Sequence, residues 1–294
     1  MFSAFLDAYP LCGDALMNIQ KDEPRLLDKI CSKVRLKGYS SSTEKIYSYW
    51  AKRYILFHDK RHPSEMGAKE VEEFLSYLTS KENVSSSTQN QSLCALIFSY
   101  KYVIEQPFES PIKALKAKKY NYIPTVLTIE ETHNLFNNMS GTMRLIAELT
   151  YGSGTRLSET HNLRIQDIDF SNKRIVVRDG KGRKDRFAVL PDTLIKPLQA
   201  HLLRVKQLHK TDLTSGHGAS VLPTAYARRM SRASKDFIWQ FVFPSNSLFH
   251  DENTGISRRW HLNTSTFQKC IQKSARTAGI MRRVSPHMLI STQN

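Results

Sequence analysis

The N-terminal third of the chain is patterned for helices. Val71, Phe74, Leu75 and Leu78 stand at i, i+3, i+4 and i+7, the apolar stripe of an amphipathic helix facing a core. Upstream, Ser41-Ser42-Thr43-Glu44 has the spacing of a capping box, and Ile46, Trp50, Arg53, Tyr54 and Phe57 continue as a mixed aromatic and basic face. Downstream, the spacing predicts a helix from near Ser87 to Ile104 with Leu93, Ile97, Tyr100 and Ile104 turned inward. The stretch Lys113 to Pro124 lacks such periodicity and reads as a linker. It is either an ordinary solvated segment or a strip crossing a phosphate backbone, since Lys116, Lys118 and Lys119 lie beside Tyr120 and Tyr122.

The pattern then changes. Thr128-Ile129-Glu130-Glu131 is a second capping box and opens a second domain. Leu145, Ile146 and Leu149 mark a helix over Thr142 to Tyr151, which Gly152-Ser153-Gly154 ends, and Leu157 to Leu163 reads as a short helix after that break. Two strand-like runs follow, Arg174 to Val177 and Arg186 to Leu190, separated by a basic turn from Asp179 to Asp185. The predicted fold is mainly α with a small β-hairpin sheet. Residues 1–24 form an N-terminal extension, 25–112 a helical domain, 113–124 the linker and 125–294 the second domain.

Charge narrows the choice of partner. A formal net charge of +16 is the footprint of a protein that binds a polyanion. Residues 1–119 and 120–227 each carry +4, whereas 228–294 carry +8, so the last segment is the most basic for its length. No run approaches the roughly 20 apolar residues of a membrane-spanning helix, and the first residues do not resemble a secretion signal. Cys12, Cys31, Cys94 and Cys270 are too dispersed for a zinc knuckle or a redox pair, which predicts buried free thiols in a cytoplasmic protein.

Candidate chemistry concentrates between Tyr151 and Pro191. Arg156 would sit at the entrance of the short helix with Glu159 about one turn further on, so that a guanidinium could grip phosphate oxygens while the carboxylate steadies it. Lys181, between two glycines at the hairpin tip, could reach a groove and give a proton to a leaving oxygen. Taken singly, these pieces read equally as a helix end and a solvated turn.

Their order and spacing resemble the catalytic domain of tyrosine recombinases, in Thr155-Arg156-Leu157-Ser158-Glu159, Gln166-Asp167-Ile168-Asp169-Phe170 and Gly180-Lys181-Gly182-Arg183-Lys184-Asp185-Arg186. Leu222-Pro223-Thr224-Ala225, Trp239-Gln240-Phe241-Val242-Phe243-Pro244-Ser245 and Arg258-Arg259-Trp260-His261 resemble the extra segment of integron integrases, here about residues 215–262. Trp260 stands where a His is more usual. His62-Pro63-Ser64-Glu65-Met66-Gly67 and Thr88-Gln89-Asn90-Gln91-Ser92-Leu93 are similar to the same enzymes.

The resemblance implies a helical SAM-like core-binding domain and a catalytic domain that close as a C-shaped clamp on DNA, acting as a homo-oligomer without metal or cofactor. Arg156, Lys181 and His287 would be catalytic, with Glu159 in support. Thr43, Lys45, Lys52, Thr88, Gln89 and Gln91 of the first domain, the linker lysines, Lys184, and Trp239, Arg258, Arg259, Trp260 and His261 of the extra segment would face DNA, either duplex or a folded single strand with extrahelical bases. Trp239, Phe241 and Trp260 suit base stacking, or equally the packing of the segment itself.

The last residues depart from the family pattern. Ser285-Pro286-His287-Met288-Leu289 resembles the catalytic-His segment, but Ile290 stands where the second arginine is implied, and no tyrosine follows Tyr226. The implied nucleophile is therefore missing from the sequence. Three expectations follow from this: an active recombinase whose sequence is incomplete, a DNA-binding fragment or regulator that does not cleave, or the truncated or frameshifted product of a disrupted gene.

Overall fold

A computed structural model describes residues 25–118, 126–178, 185–222, 231–252 and 255–291. The chain divides into two compact units, Met1–Tyr122 and Ile123–Asn294.

The first unit is built from α1 (Leu26–Leu36), α2 (Ser41–Phe57), α3 (Ala68–Ser80) and α4 (Ser86–Ser99). Val71, Phe74, Leu75 and Leu78 of α3 are buried, as their spacing predicts, against Trp50, Tyr54, Leu96 and Tyr100. The inward face expected of α4 is shifted, because Ile97 is exposed while Ala95, Leu96 and Phe98 are buried. The reason is that α4 is covered on two sides: Leu96 joins the α3 core, and Phe98 joins a second cluster with Ile30, Val34 and Ala51. A helix buried on two sides shows no single apolar stripe. A wider π-turn, Tyr100–Ile104, then ends it.

The α2 cap also lies one residue earlier than expected. Ser40 accepts the Thr43 N–H at 3.2 Å, and Glu44 pairs with Arg35 of α1 instead of closing a capping box. The residues expected to begin a linker dock on this unit. Lys113 N–H donates to Glu72 at 2.5 Å, Leu115 N–H to Ser76 at 3.2 Å and Ala117 N–H to Gln89 at 2.9 Å, so residues 113–117 run as an extended strip hung on α3 and α4.

The second unit places α5 (Ile129–Asn137), α6 (Gly141–Ser153), α7 (Leu157–Asn162), α8 (Asp192–Thr214), α9 (Thr264–Thr277) and α10 (Pro286–Ser291) around one core with Ile146, Leu149, Leu198, Phe243, Phe267 and Leu289 inside. Thr128 and Glu131 form the predicted capping box of α5. β1 (Ile168–Asp169), β2 (Arg174–Val177) and β3 (Arg186–Val189) form an antiparallel sheet with Val177 opposite Arg186, which carries the predicted hairpin and adds a third strand. β4 (Pro244–Asp251) and β5 (Ile256–His261) pair antiparallel in a second sheet.

Cys31 and Cys270 are half-buried and Cys94 is exposed, which corrects the expectation of buried thiols for these three. Among the described residues no helix is long and apolar enough to cross a membrane, and no cluster of His, Cys, Asp or Glu is arranged to hold a metal ion.

Candidate catalytic cleft

Arg156 is placed by a turn that is locked from beneath. Gly154, at φ +62°, ends α6 in a left-handed conformation that a side chain would strain. Next to it Gly152 approaches Pro191 so closely that a Cβ would lie 2.5 Å from the proline ring. Below the turn the hydroxyls of Ser153, Thr155, Thr160 and Thr150 form a chain at 2.8 to 3.2 Å, with Thr155 and Thr160 fully buried. Buried hydroxyls satisfied by one another leave the turn little freedom to relax.

Arg156 itself is the N-cap residue of α7. Its N–H donates to Glu159 at 2.7 Å, and its Nη1 donates to the same carboxylate at 2.8 Å. Arg186, at the base of the β2–β3 hairpin, donates Nη2 to that carboxylate at 2.6 Å. The Glu159 side chain is 8% exposed and the Arg156 side chain 47%. One buried carboxylate thus ties the helix entrance to the hairpin, while the remaining guanidinium donors of Arg156 stay at the surface. Nothing in the sequence pattern points to Arg186 as the second partner.

Arg156 and His287 line the same cleft, of about 430 Å³, together with Leu157, Ser158, Thr264, Gln268, Ser285 and Pro286. His161 holds two walls of this cleft together, α7 and α9. It is fully buried, donates Nδ1–H to the Leu157 carbonyl at 2.9 Å and packs edge-on against Phe267 of α9. Burial pushes its pKa below the ordinary value, so the ring is neutral at pH 7. Sequence reading missed this residue, because a lone His on an apolar face carries no spacing signal.

The β4–β5 hairpin adjoins the cleft. Thr264 also lines a neighbouring cleft of about 500 Å³ bounded by Leu248, Phe249, Trp260, His261 and Asn263. Trp260 and Phe249 are exposed there, whereas Trp239 and Phe241 are buried. Arg164 anchors this region from below, donating to Ser220 Oγ at 2.5 Å, the Trp239 carbonyl at 2.7 Å and the Val221 carbonyl at 2.8 Å, with its guanidinium 3.6 Å above the Phe241 ring. Burial pulls its pKa down to about 10 against the opposing pull of Asp167.

The residues expected to face DNA fall into groups. Lys45, Lys52, Lys116 and Lys118 are exposed. Thr43 and Thr88 are half-buried, with hydroxyls turned to Ser40 and Ser85 at 2.9 Å. Gln91 accepts from the Trp50 indole at 3.3 Å. Gln89 is spent on structure, since its amide donates to the Leu75 and Leu115 carbonyls and to Thr79 while its oxygen accepts from Ala117. Arg259 is likewise spent, for it grips both oxygens of Asp212 at 2.6 and 2.7 Å and donates to the Ser245 and Asn246 carbonyls. In both, the side chain's hydrogen-bonding groups are engaged by the protein itself. The buried Trp239 serves the packing alternative.

Arg258 is half-buried, and its buried Nε has no hydrogen-bond partner among the described residues. His261 is half-buried, donates Nδ1–H to the Leu262 carbonyl at 2.8 Å, and has its pKa lowered by burial. Lys119, Lys181 and Lys184 lie outside the described residues.

Two family descriptions match this chain: the phage integrase N-terminal SAM-like domain over residues 26–110, and the phage integrase family over residues 125–292. The chain belongs to the phage integrase family of tyrosine recombinases. It is 36% identical over 267 residues to an integrase/recombinase of Escherichia coli and equally to one of Pseudomonas aeruginosa, covering 90% of this chain and 79% of each relative. Tyrosine recombinase XerA of Thermococcus onnurineus is 32% identical over 171 residues, 57% of each chain. Among solved structures, XerH recombinase bound to its difH substrate has a TM-score of 0.55 at 19% identity, covering 90% of this chain and 70% of that one. A lambda integrase dimer bound to a COC' core site has a TM-score of 0.56 at 15% identity, covering 91% and 83%. At these identities the two structures speak for the fold: a SAM-like helical domain followed by an integrase catalytic domain.

Proposed function

We propose that this integrase acts on DNA as an integron-type recombinase scaffold, with copies pairing on sites that include folded single strands bearing an unpaired base. The observation that carries this reading is the junction of two clefts at Thr264, one lined by Arg156 and His287 and the other by exposed Trp260 and Phe249. The first has the groups for a phosphodiester. Arg156, tethered by Glu159, offers surface donors to charge developing on a nonbridging phosphate oxygen, and His287 stands on the opposite wall to hold or move a proton. Lys181, which stands between β2 and β3 in the sequence, would protonate the leaving 5′ oxygen. The second cleft suits an unpaired base, which stacks on aromatic faces for roughly 1–3 kcal/mol.

Cleavage by the family needs a tyrosine oxygen to attack phosphorus as the bond to the 5′ oxygen breaks. These 294 residues hold Ile290 at the implied second arginine and no tyrosine after Tyr226. By themselves they are proposed to bind recombination sites without forming the covalent link. Two measurements test the proposal. A nicked suicide duplex should yield no denaturation-stable adduct, and an adduct mapping to any tyrosine would overturn the binding-only reading. A hairpin with one extrahelical base should bind more tightly than the fully paired stem, and Trp260→Ala should erase the difference; equal affinity of the two DNAs for the unaltered protein would rule out the base-holding cleft.

A further inference from the structure

α9 joins the catalytic cleft to a second cleft. Thr264 and Gln268 face the first, and Gln272 and Arg276, one and two turns further along, face a cleft of about 450 Å³ that Arg282 and Arg283 also line. The opposing wall is shared in the same way, since Arg282 and Arg283 lead directly into Ser285, Pro286 and His287. The two clefts are thus lined by successive turns of α9 and by successive residues of the segment that carries His287.

The charged side chains that line the second cleft are all basic, and Glu131 reaches it only through Arg282. No Asp or Glu follows Glu252 in the sequence, while Lys269, Lys273 and Arg276 recur on the exposed side of α9. Arg282 is engaged by Glu131 and by the Val126 carbonyl at 3.1 Å. Arg276 and Arg283 are exposed, and no carboxylate among the described residues is paired with either of them. Exposed arginines at a concave surface whose neighbouring carboxylate is taken by Arg282 repel one another until a polyanion arrives.

We infer that Arg276 and Arg283 form a second phosphate-holding site, which grips the backbone of the strand whose reacting phosphate lies at Arg156. The inference rests on the DNA-binding reading above. From Gln268 to Arg276 the helix rises about 12 Å. That distance exceeds the ~3.4 Å of axis per phosphate of one strand, so the second site meets a phosphate other than the reacting one. Contacts of this kind carry no sequence information; they fix the strand's register in the catalytic cleft.

The test is the salt dependence of binding, read by fluorescence anisotropy on a random-sequence duplex of about three helical turns. The unaltered protein should bind with a steeply negative slope of log affinity against log salt. Arg276→Gln with Arg283→Gln should make that slope shallower by about two, since each lost phosphate contact removes ~0.9. Lys196→Gln with Arg204→Gln, an equal charge loss on exposed positions of α8, should leave it unchanged. An unchanged slope in the Arg276/Arg283 variant, with a cooperative melt showing it folded, would overturn the site; so would an equal loss in the α8 control. Absence of salt-dependent binding by the unaltered protein would instead defeat the underlying DNA-binding reading.

Discussion

Arg156 and Arg259 are each held by a nearby carboxylate, and the two pairs differ in which partner is buried. At Arg156 the carboxylate is buried and the guanidinium is half in water, with a single donor engaged by Glu159. At Arg259 both partners are enclosed, 12% and 9% exposed, and Nε and both Nη atoms are engaged by protein oxygens. The first arrangement fixes an arginine while leaving donors for a ligand. The second uses an arginine to fasten α8 to the β4–β5 hairpin. Charge and motif position alone assign both residues to DNA; only the fate of the donors separates them.

The comparison predicts opposite phenotypes. Arg259→Ala should cost about 3–5 kcal/mol of stability, because Asp212 is left charged without its partner in a buried site. Urea denaturation of the variant measures this, and a loss well under 1 kcal/mol would place Arg259 among surface pairs. Gln89→Ala is the parallel case in the first unit. It should cost roughly 1–3 kcal/mol by stranding groups of the docked strip 113–117, visible as a lowered midpoint and faster proteolysis near Lys116.

Acidification should produce a smaller loss that is spread over several residues. Burial lowers the pKa of His161, His201 and His261 from the ordinary value of 6.5. In the unfolded chain these rings take up protons as pH falls through about 6.5, while the folded ones stay neutral, so stability is complete above that pH and declines as pH drops towards the folded values. His161→Gln should flatten the decline between pH 7.5 and 5.5 in urea midpoints; an unaltered slope would remove His161 from the account. The smallest effect should come from Lys116→Ala with Lys118→Ala, which is expected to reduce the salt slope of DNA binding by at most about two while leaving stability unchanged.

Much of this was legible in the sequence, for identifiable reasons. The Val71–Leu78 stripe, the Thr128–Glu131 box, the Gly154 stop and the β2–β3 hairpin are set by local periodicity and backbone chemistry, which neighbours in sequence determine. The Ser40 cap was displaced because Glu44 found Arg35 across a helix pair, and the face of α4 was hidden by burial on two sides. Arg186, His161 and Arg164 act through partners remote in the chain or in the fold, and no local spacing announces them. The β4–β5 hairpin was read as a family motif, without the strands that its turn-rich Asp251–Gly255 segment separates.

The central claim is that Arg156 is fixed so that its free donors can serve a phosphate. It is tested most directly by strand cleavage in a chimera carrying a complete family C-terminus after His287, assayed on a nicked suicide duplex. Arg156→Ala should lower the cleavage rate by about 10²–10³, the cost of one donor to a developing oxyanion, while its urea midpoint and DNA affinity stay close to those of the parent chimera. Cleavage within a few-fold of the parent, or a loss matched by unfolding, would contradict the account.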